Sequence, residues 1–275
     1  MTNIKQHHST QIVKCLLIGQ SGQGKTASLL SLAEAGYNLR IIDFDNGLDI
    51  MRNLLKKSKN PDAIAKRINF ITCTDEMKTT QNGAIVPKGQ PKAYSKALQM
   101  MNKWTEDDGE DLGNVSDWGP NDVLVIDSLT FLSNAVMRWH LFNVGRIGEP
   151  YQSDWLQAQR KVIQLLELIF SESVKCNVVL TAHIRYIDIA DGQIEGYPES
   201  VGKALPPQIP RYANCVVQAK ITGSGSNAKR KIRIVPDTNI GLKNPAPFSI
   251  SDKEIPLETG LAEIFSAIKG EAGKQ

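Results

Sequence analysis

Eight consecutive residues, Gly19-Gln20-Ser21-Gly22-Gln23-Gly24-Lys25-Thr26, carry the spacing G-x-x-x-x-G-K-T. Glycines at these positions let successive backbone N–H groups face an anion at the start of a helix, whose positive end reinforces them. The chemistry expected is therefore the cradling of nucleotide phosphates. Lys25 is placed to neutralise the β- and γ-phosphates, and Thr26 to offer its hydroxyl to Mg2+, which makes ATP and Mg2+ the expected cofactors. By composition alone, a chance match in a chain of this length is roughly a one-in-a-hundred event.

A bound triphosphate needs a carboxylate for its metal and a group that orients or deprotonates water. Asp127 closes the apolar run 123–126, where a carboxylate could hold magnesium through a water. Ser128, the next residue, either joins that water network or caps the following helix. At the tip of another apolar run stand Asp43 and Asp45. Strand alternation puts both on one face, so spacing does not separate them as candidate bases, and an Asp-Asn-Gly turn is the competing reading. His183 lies just past the run ending at Thr181 and could sense a γ-phosphate, although a lone histidine is more often a satisfied structural residue. Arg185, two residues on, could serve the same loop or contact a phosphate backbone.

These residues need a scaffold that brings distant segments to one edge. Residues 12–18 read as a buried strand feeding the glycine-rich loop, and 25–35 as a helix closed by Gly36. Strands follow at 39–44 and 68–72, with a helix at 48–58 between them. The pattern loosens over 75–121, read as an insertion with a helix at 92–104 and an acidic stretch at 106–117. A strand at 123–126, helices at 129–142 and 153–170, and a strand at 178–181 come next. Residues 184–210 are rich in Gly and Pro and read as a long loop. Short runs at 215–221, 231–235 and 247–250 predict antiparallel strands added to a parallel core, and 261–268 a closing helix. The fold class expected is α/β: a mostly parallel sheet flanked by helices, with antiparallel strands toward the C-terminus. One domain, 12–270, is expected between flexible tails at 1–11 and 271–275.

Composition restricts the remaining classes. Of 275 residues, 41% are hydrophobic and 22% charged, enough apolar surface for a sizeable core. A net charge of +3 permits contact with a polyanion without demanding one. Cys15, Cys73, Cys176 and Cys215 have no CxxC spacing and sit in apolar stretches, which predicts buried free thiols in a reducing cytosol. No window has the ~20 apolar residues of a membrane span. The expectation is a cytoplasmic protein with no membrane partner. His7 and His8 fall in the leading tail and read as solvated rather than metal-binding.

The order of the cradle, the strand Ile41-Ile42-Asp43-Phe44-Asp45-Asn46-Gly47, the strand 123–128 and Val178-Val179-Leu180-Thr181-Ala182-His183 resembles that of RecA-core P-loop ATPases. Its nearest look is to phage-encoded nucleotide-binding proteins of the Sak single-strand annealing type. The resemblance implies that Asp45 stands where a glutamate activates water, and that His183 stands where a glutamine senses the γ-phosphate. It implies two DNA-binding loops, 143–153 and 184–210, with Arg146, Arg185 and Lys203 as phosphate contacts. Lys243, in Gly241-Leu242-Lys243-Asn244-Pro245-Ala246-Pro247-Phe248, matches a lysine that reaches the ATP of a neighbouring protomer; an exposed lysine in a proline-bounded turn is the alternative. The function implied is binding and hydrolysis of ATP by a homo-oligomer, filament or ring, acting on single-stranded DNA in phage-type recombination or annealing. A single-strand binding protein is an implied partner and the cytoplasm of a bacterial host the implied location. Two alternatives stand beside it: a ring-forming motor of helicase or packaging type, and a nucleotide-gated interaction protein with little hydrolysis, because Asp45 is shorter than glutamate.

Overall fold

In chain order, the apolar run before the cradle becomes β1 (Lys14–Ile18), and the cradle opens into α1 (Lys25–Ser28) and α2 (Leu30–Glu34). Leu29 between the two helices keeps helical angles (φ −61°, ψ −28°), so the pair follows the course of the single helix expected. The structure, a computed structural model, describes residues 11–106, 109–189, 192–250 and 252–270. The expected tails, with His7 and His8, lie outside the described residues except for Gln11.

Next come β2 (Asn38–Asp43), α3 (Asp49–Leu55), α4 (Pro61–Ala65) and β3 (Ile68–Thr72). The region read as an insertion contains a hairpin, β4 (Met77–Thr79) and β5 (Ile85–Pro87), then α5 (Ala93–Asn102) and a second hairpin, β6 (Trp104–Thr105) and β7 (Asp111–Gly113). It contributes to the main core through Ala93, Tyr94, Ala97, Met101 and the T-shaped pair Trp104–Trp118, whose rings are 5.6 Å apart. The chain continues through β8 (Asp122–Asp127), α6 (Leu129–Asn143), α7 (Gln152–Ile169) and β9 (Asn177–Ala182).

Three expectations are corrected beyond β9. Residues 184–210 do not form one long loop: β10 (Ile184–Asp188) and β11 (Ile194–Pro198) pair as an antiparallel hairpin, followed by a 3-10 helix over Pro206–Arg211. The Gly and Pro content suggested a loop, but the β-formers Ile184, Tyr186, Ile194 and Tyr197 supply paired strands on either side of it. Of the last strands, β12 (Cys215–Thr222) is not antiparallel: it pairs parallel with β1, and only β13 (Lys229–Arg233) and β14 (Glu254–Pro256) run antiparallel. Residues 247–250, expected as a strand, turn instead. The amides of Ser249 and Ile250 both donate to Ala246 O, and Pro247 has no N–H to give a ladder. Finally α8 (Leu257–Ile268) closes the chain.

The main sheet has the order β14-β13-β12-β1-β9-β8-β2-β3, parallel from β12 to β3. Its central strands are buried along their whole length, as parallel strands covered on both faces must be. Alternation sorts β1 between two cores. Leu16 and Ile18 face α5, α6 and α7, whereas Cys15 and Leu17 face α1, α2 and α8. Lys14 reaches the end of α7, where its Nζ donates to the carbonyls of Ile169, Val174 and Cys176 at 3.0, 2.8 and 3.1 Å. All four cysteines are buried and free. Among the described residues, no helix is long and apolar enough to cross a membrane.

Because β9 lies between β1 and β8, and β8 lies beside β2, parallel pairing brings the C-terminal ends of these four strands to one edge. That edge is where ligands bind in open parallel sheets.

Candidate active site

The glycine-rich loop leaves β1 and turns through Gly22 and Gly24 at φ +77° and +97°, angles that favour glycine. Space adds a second constraint. A Cβ on Gly19 would lie 2.7 Å from the carbonyl oxygen of Ala219, and one on Gly24 would lie 2.5 Å from Leu257 Cδ2. Lys25 Nζ bends back over the loop and donates to the carbonyls of Gly19 (2.9 Å) and Gln20 (3.2 Å). Burial holds its pKa below the usual lysine value, against the opposing pull of Asp127 and Asp45. Within the loop, Gln23 Oε1 accepts from the Gln20 amide at 2.8 Å, and Gln20 Nε2 donates to Ile184 O at 3.2 Å.

Asp127, at the end of β8, is 1% exposed and engaged on both oxygens. Thr26 Oγ1 donates to Oδ2 at 2.7 Å, and Thr181 Oγ1 on β9 donates to Oδ1 at 2.5 Å. The ends of β8 and β9 and the first turn of α1 thus converge on one carboxylate.

The two aspartates that spacing could not separate have different jobs. Asp43 is buried, and its Oδ1 accepts the amides of Asp45 (3.0 Å) and Asn46 (2.9 Å), so it shapes the turn after β2. Asp45 faces the cleft, where its Oδ1 accepts from Ser128 N (3.0 Å) and Ser128 Oγ (2.8 Å). Ser128 therefore spends its hydroxyl on Asp45 rather than on capping α6. Burial, and then the charge of Asp127, push both carboxyls up, Asp45 to about 6.

His183 lines the same cleft. Its amide donates to Thr130 Oγ1 at 3.1 Å, and its ring meets Phe131 edge-on at 6.0 Å. Burial and then the charge of Lys25 lower its pKa, which favours a neutral imidazole able to donate one hydrogen bond. The cleft, about 580 Å³, extends from Ser21–Thr26 past Leu30 to Ile50 and Leu54 on α3, leaving apolar room beyond the phosphate end.

The donor set suits magnesium carried on a triphosphate. A threonine hydroxyl and a carboxylate lie side by side near Lys25. Among the described residues no three His, Cys, Asp or Glu side chains converge to hold an ion unaided. Thr26 and Asp127 would hold such an ion together with phosphate oxygens, as magnesium prefers.

The remaining candidates are dispersed. Lys243 Nζ donates to Pro210 O (2.5 Å) and Ala213 O (3.1 Å) of its own chain and does not line the cleft. Arg146 pairs with Asp154 at 2.7 Å and stacks on Tyr151 with its Cζ 3.7 Å from the ring centre, which fastens the segment before α7. Arg185 and Lys203 do meet. They line a second cleft, about 850 Å³, with Gln152, Ser153, Trp155 and Gln159 of α7.

Three site residues were missed from sequence: Thr181, Thr130 and Arg230. The first two sit within five residues of candidates that were named, but ordinary Thr gave no signal. Arg230, on β13, lines the nucleotide cleft and donates from Nε to Gly22 O at 3.3 Å, a contact across 208 positions.

The sequence model of the AAA domain family matches residues 12–246. No curated protein matches the chain. Among solved structures it is similar to the RadB recombinase at 12% identity, covering 82% of this chain and 84% of that one, with a TM-score of 0.44. It is also similar to the flagellar accessory protein FlaH from Methanocaldococcus jannaschii, at 10% identity, 80% and 76% coverage and a TM-score of 0.38. The KaiC-like protein PH0186 from Pyrococcus horikoshii OT3 matches at 11% identity, 80% and 77% coverage and a TM-score of 0.38. With the family match spanning most of its length, the chain belongs to the AAA domain family, and its phosphate loop sits at the edge of a mostly parallel α/β sheet flanked by helices.

Proposed function

We propose that the chain binds and hydrolyses ATP and couples that cycle to single-stranded DNA, as a homo-oligomer working in annealing or recombination of the phage type. One observation carries this reading: His183 lines the nucleotide cleft, and Arg185, two residues along the same segment, lines the second cleft. A change at one cleft is therefore one short stretch of backbone from the other. The His183 carbonyl also accepts from the Glu199 amide at 2.8 Å, and Arg185 Nη1 donates to Gly202 O at 3.4 Å, which ties both residues to the segment that bears Lys203.

The second cleft has the chemistry of a single-strand groove. Arg185 and Lys203 supply charge for a phosphate backbone, Gln152, Ser153 and Gln159 supply hydrogen bonds, and Trp155, 39% exposed, offers a ring for base stacking.

At the nucleotide cleft, Lys25 exchanges the Gly19 and Gln20 carbonyls for phosphate oxygens. Magnesium, when bound with the nucleotide, offsets charge that develops on the phosphates. Asp45, whose pKa of about 6 leaves it ionised but basic at neutral pH, accepts the proton of the attacking water through the oxygen that Ser128 does not engage. His183, as a neutral donor, reads the γ-phosphate.

ATP turnover measured with and without single-stranded DNA, beside DNA binding at low and high salt, tests the reading. Stimulation together with salt-dependent binding is expected. Equal turnover with no binding at low salt would overturn it.

A further inference from the structure

Of the cations that line the nucleotide cleft among the described residues, the proposed cycle leaves two without a task, Lys57 and Arg230, and Arg230 is the one that touches the phosphate loop. It comes from β13, which antiparallel pairing with β12 places against the phosphate loop. Its Nε donates to the carbonyl of Gly22, and its Cδ packs where a Cβ on Gly24 would come within 3.2 Å. A guanidinium held against the backbone of a phosphate cradle still has N–H groups to offer an anion entering that cradle.

Lys243 contrasts with it. That ammonium is engaged by the Pro210 and Ala213 carbonyls of its own chain.

We propose that Arg230 is a phosphate-binding residue supplied in cis: it grips the polyphosphate of the nucleotide in its own chain, so that the cation completing the cradle comes from the same subunit. The inference rests on the reading of the cleft as a nucleotide site. Occupancy would then fasten β13, already against the loop, to the polyphosphate, which links the antiparallel edge of the sheet to the nucleotide.

Titration with a fluorescent ATP analogue and Mg2+ tests it, using wild type, Lys25→Ala, Arg230→Gln and Arg230→Lys, with thermal unfolding to verify that each is folded. Gln keeps an N–H for the Gly22 carbonyl and drops the charge, whereas Lys keeps the charge. Arg230→Gln is expected to bind about tenfold more weakly, and Arg230→Lys to recover most of that loss. Mixing Arg230→Gln with Lys25→Ala, which retains an intact Arg230, should restore no tight binding. Wild-type affinity in Arg230→Gln overturns the phosphate role, and restored binding in the mixture overturns its action in cis. Absence of binding by the wild type would instead remove the nucleotide reading itself.

Discussion

A single oxygen of Asp45, Oδ1, accepts both the amide of Ser128 at 3.0 Å and its hydroxyl at 2.8 Å. The two residues come from the ends of adjacent parallel strands, β2 and β8, so sheet register sets the position of the carboxylate. Its proton affinity is the balance of burial and Asp127, which raise it, and Ser128, which lowers it.

That balance predicts an acid limb. A base must be deprotonated to act, so kcat/KM for ATP should fall as pH drops through about 6. Ser128→Ala removes one of the lowering bonds and should move the limb upward by roughly half a unit to one unit. Asp45→Asn should abolish turnover by about a hundredfold or more. A limb at the same pH that persists in Asp45→Asn would rule Asp45 out as the base.

The same carboxylate should cost stability. Its folded pKa, about 6, lies above the ordinary 3.8, so the folded state takes up this proton more readily than the unfolded state. The stabilising contribution is complete below pH 3.8 and lost as pH rises through about 6. Asparagine can still accept from Ser128 and carries no charge toward Asp127. Discounting for partial exposure, Asp45→Asn should stabilise the nucleotide-free protein by about 1–2 kcal/mol at pH 7.5, with little gain at pH 4. Denaturant titrations at the two pH values check this; a variant less stable than wild type at pH 7.5 contradicts it. A residue that lowers stability where it serves chemistry is the expected trade.

Thr181 offers a test of the metal reading. Its hydroxyl holds Asp127 Oδ1 while Thr26 holds Oδ2. Thr181→Val preserves shape but leaves a buried carboxylate oxygen without its donor, a loss of about 1–3 kcal/mol in stability. Nucleotide affinity should fall about three- to tenfold with Mg2+ present and stay unchanged in EDTA. Asp127→Ala should bring the affinity with Mg2+ down to the wild-type value in EDTA. An equal drop with and without metal would mean that Asp127 only shapes the pocket.

How much of this was legible follows from how locally each feature is encoded. The phosphate loop is eight contiguous residues, and glycine angles, lysine and threonine are all written in it. Asp127 was legible because a parallel strand must end somewhere, and an acid after four apolar residues marks that end. Asp43 and Asp45 were not separable, since alternation treats them alike. Only the turn, in which Asp43 accepts two amides, sends Asp45 toward Ser128. Contacts spanning 54 positions, as for Thr181, or 208, as for Arg230, depend on strand order, which no local pattern states. The β10–β11 hairpin was missed because Gly and Pro outweighed a short alternation of β-formers. Arg146 looked free in a polar loop, while Asp154, its partner, was hidden in the next helix.

That last contrast yields a prediction about the second cleft, where three substitutions should behave differently. Lys203→Glu removes a cation placed beside Arg185, so single-stranded DNA affinity should drop and the slope of log K against log salt should shrink by about one phosphate's worth. Trp155→Ala removes a stacking ring and no charge; it should cost about 1–3 kcal/mol of binding and leave the slope alone. Arg146→Gln acts elsewhere. Its guanidinium is paired with Asp154 and stacked on Tyr151, so the change should loosen the segment before α7 and lower stability, with DNA affinity within about twofold of wild type. Fluorescence anisotropy across a salt series, beside thermal unfolding, distinguishes the three. If Arg146→Gln weakened DNA binding most while Lys203→Glu and Trp155→Ala did nothing, the groove would lie along the 143–153 segment, and the coupling drawn from His183 to Arg185 would lose its target.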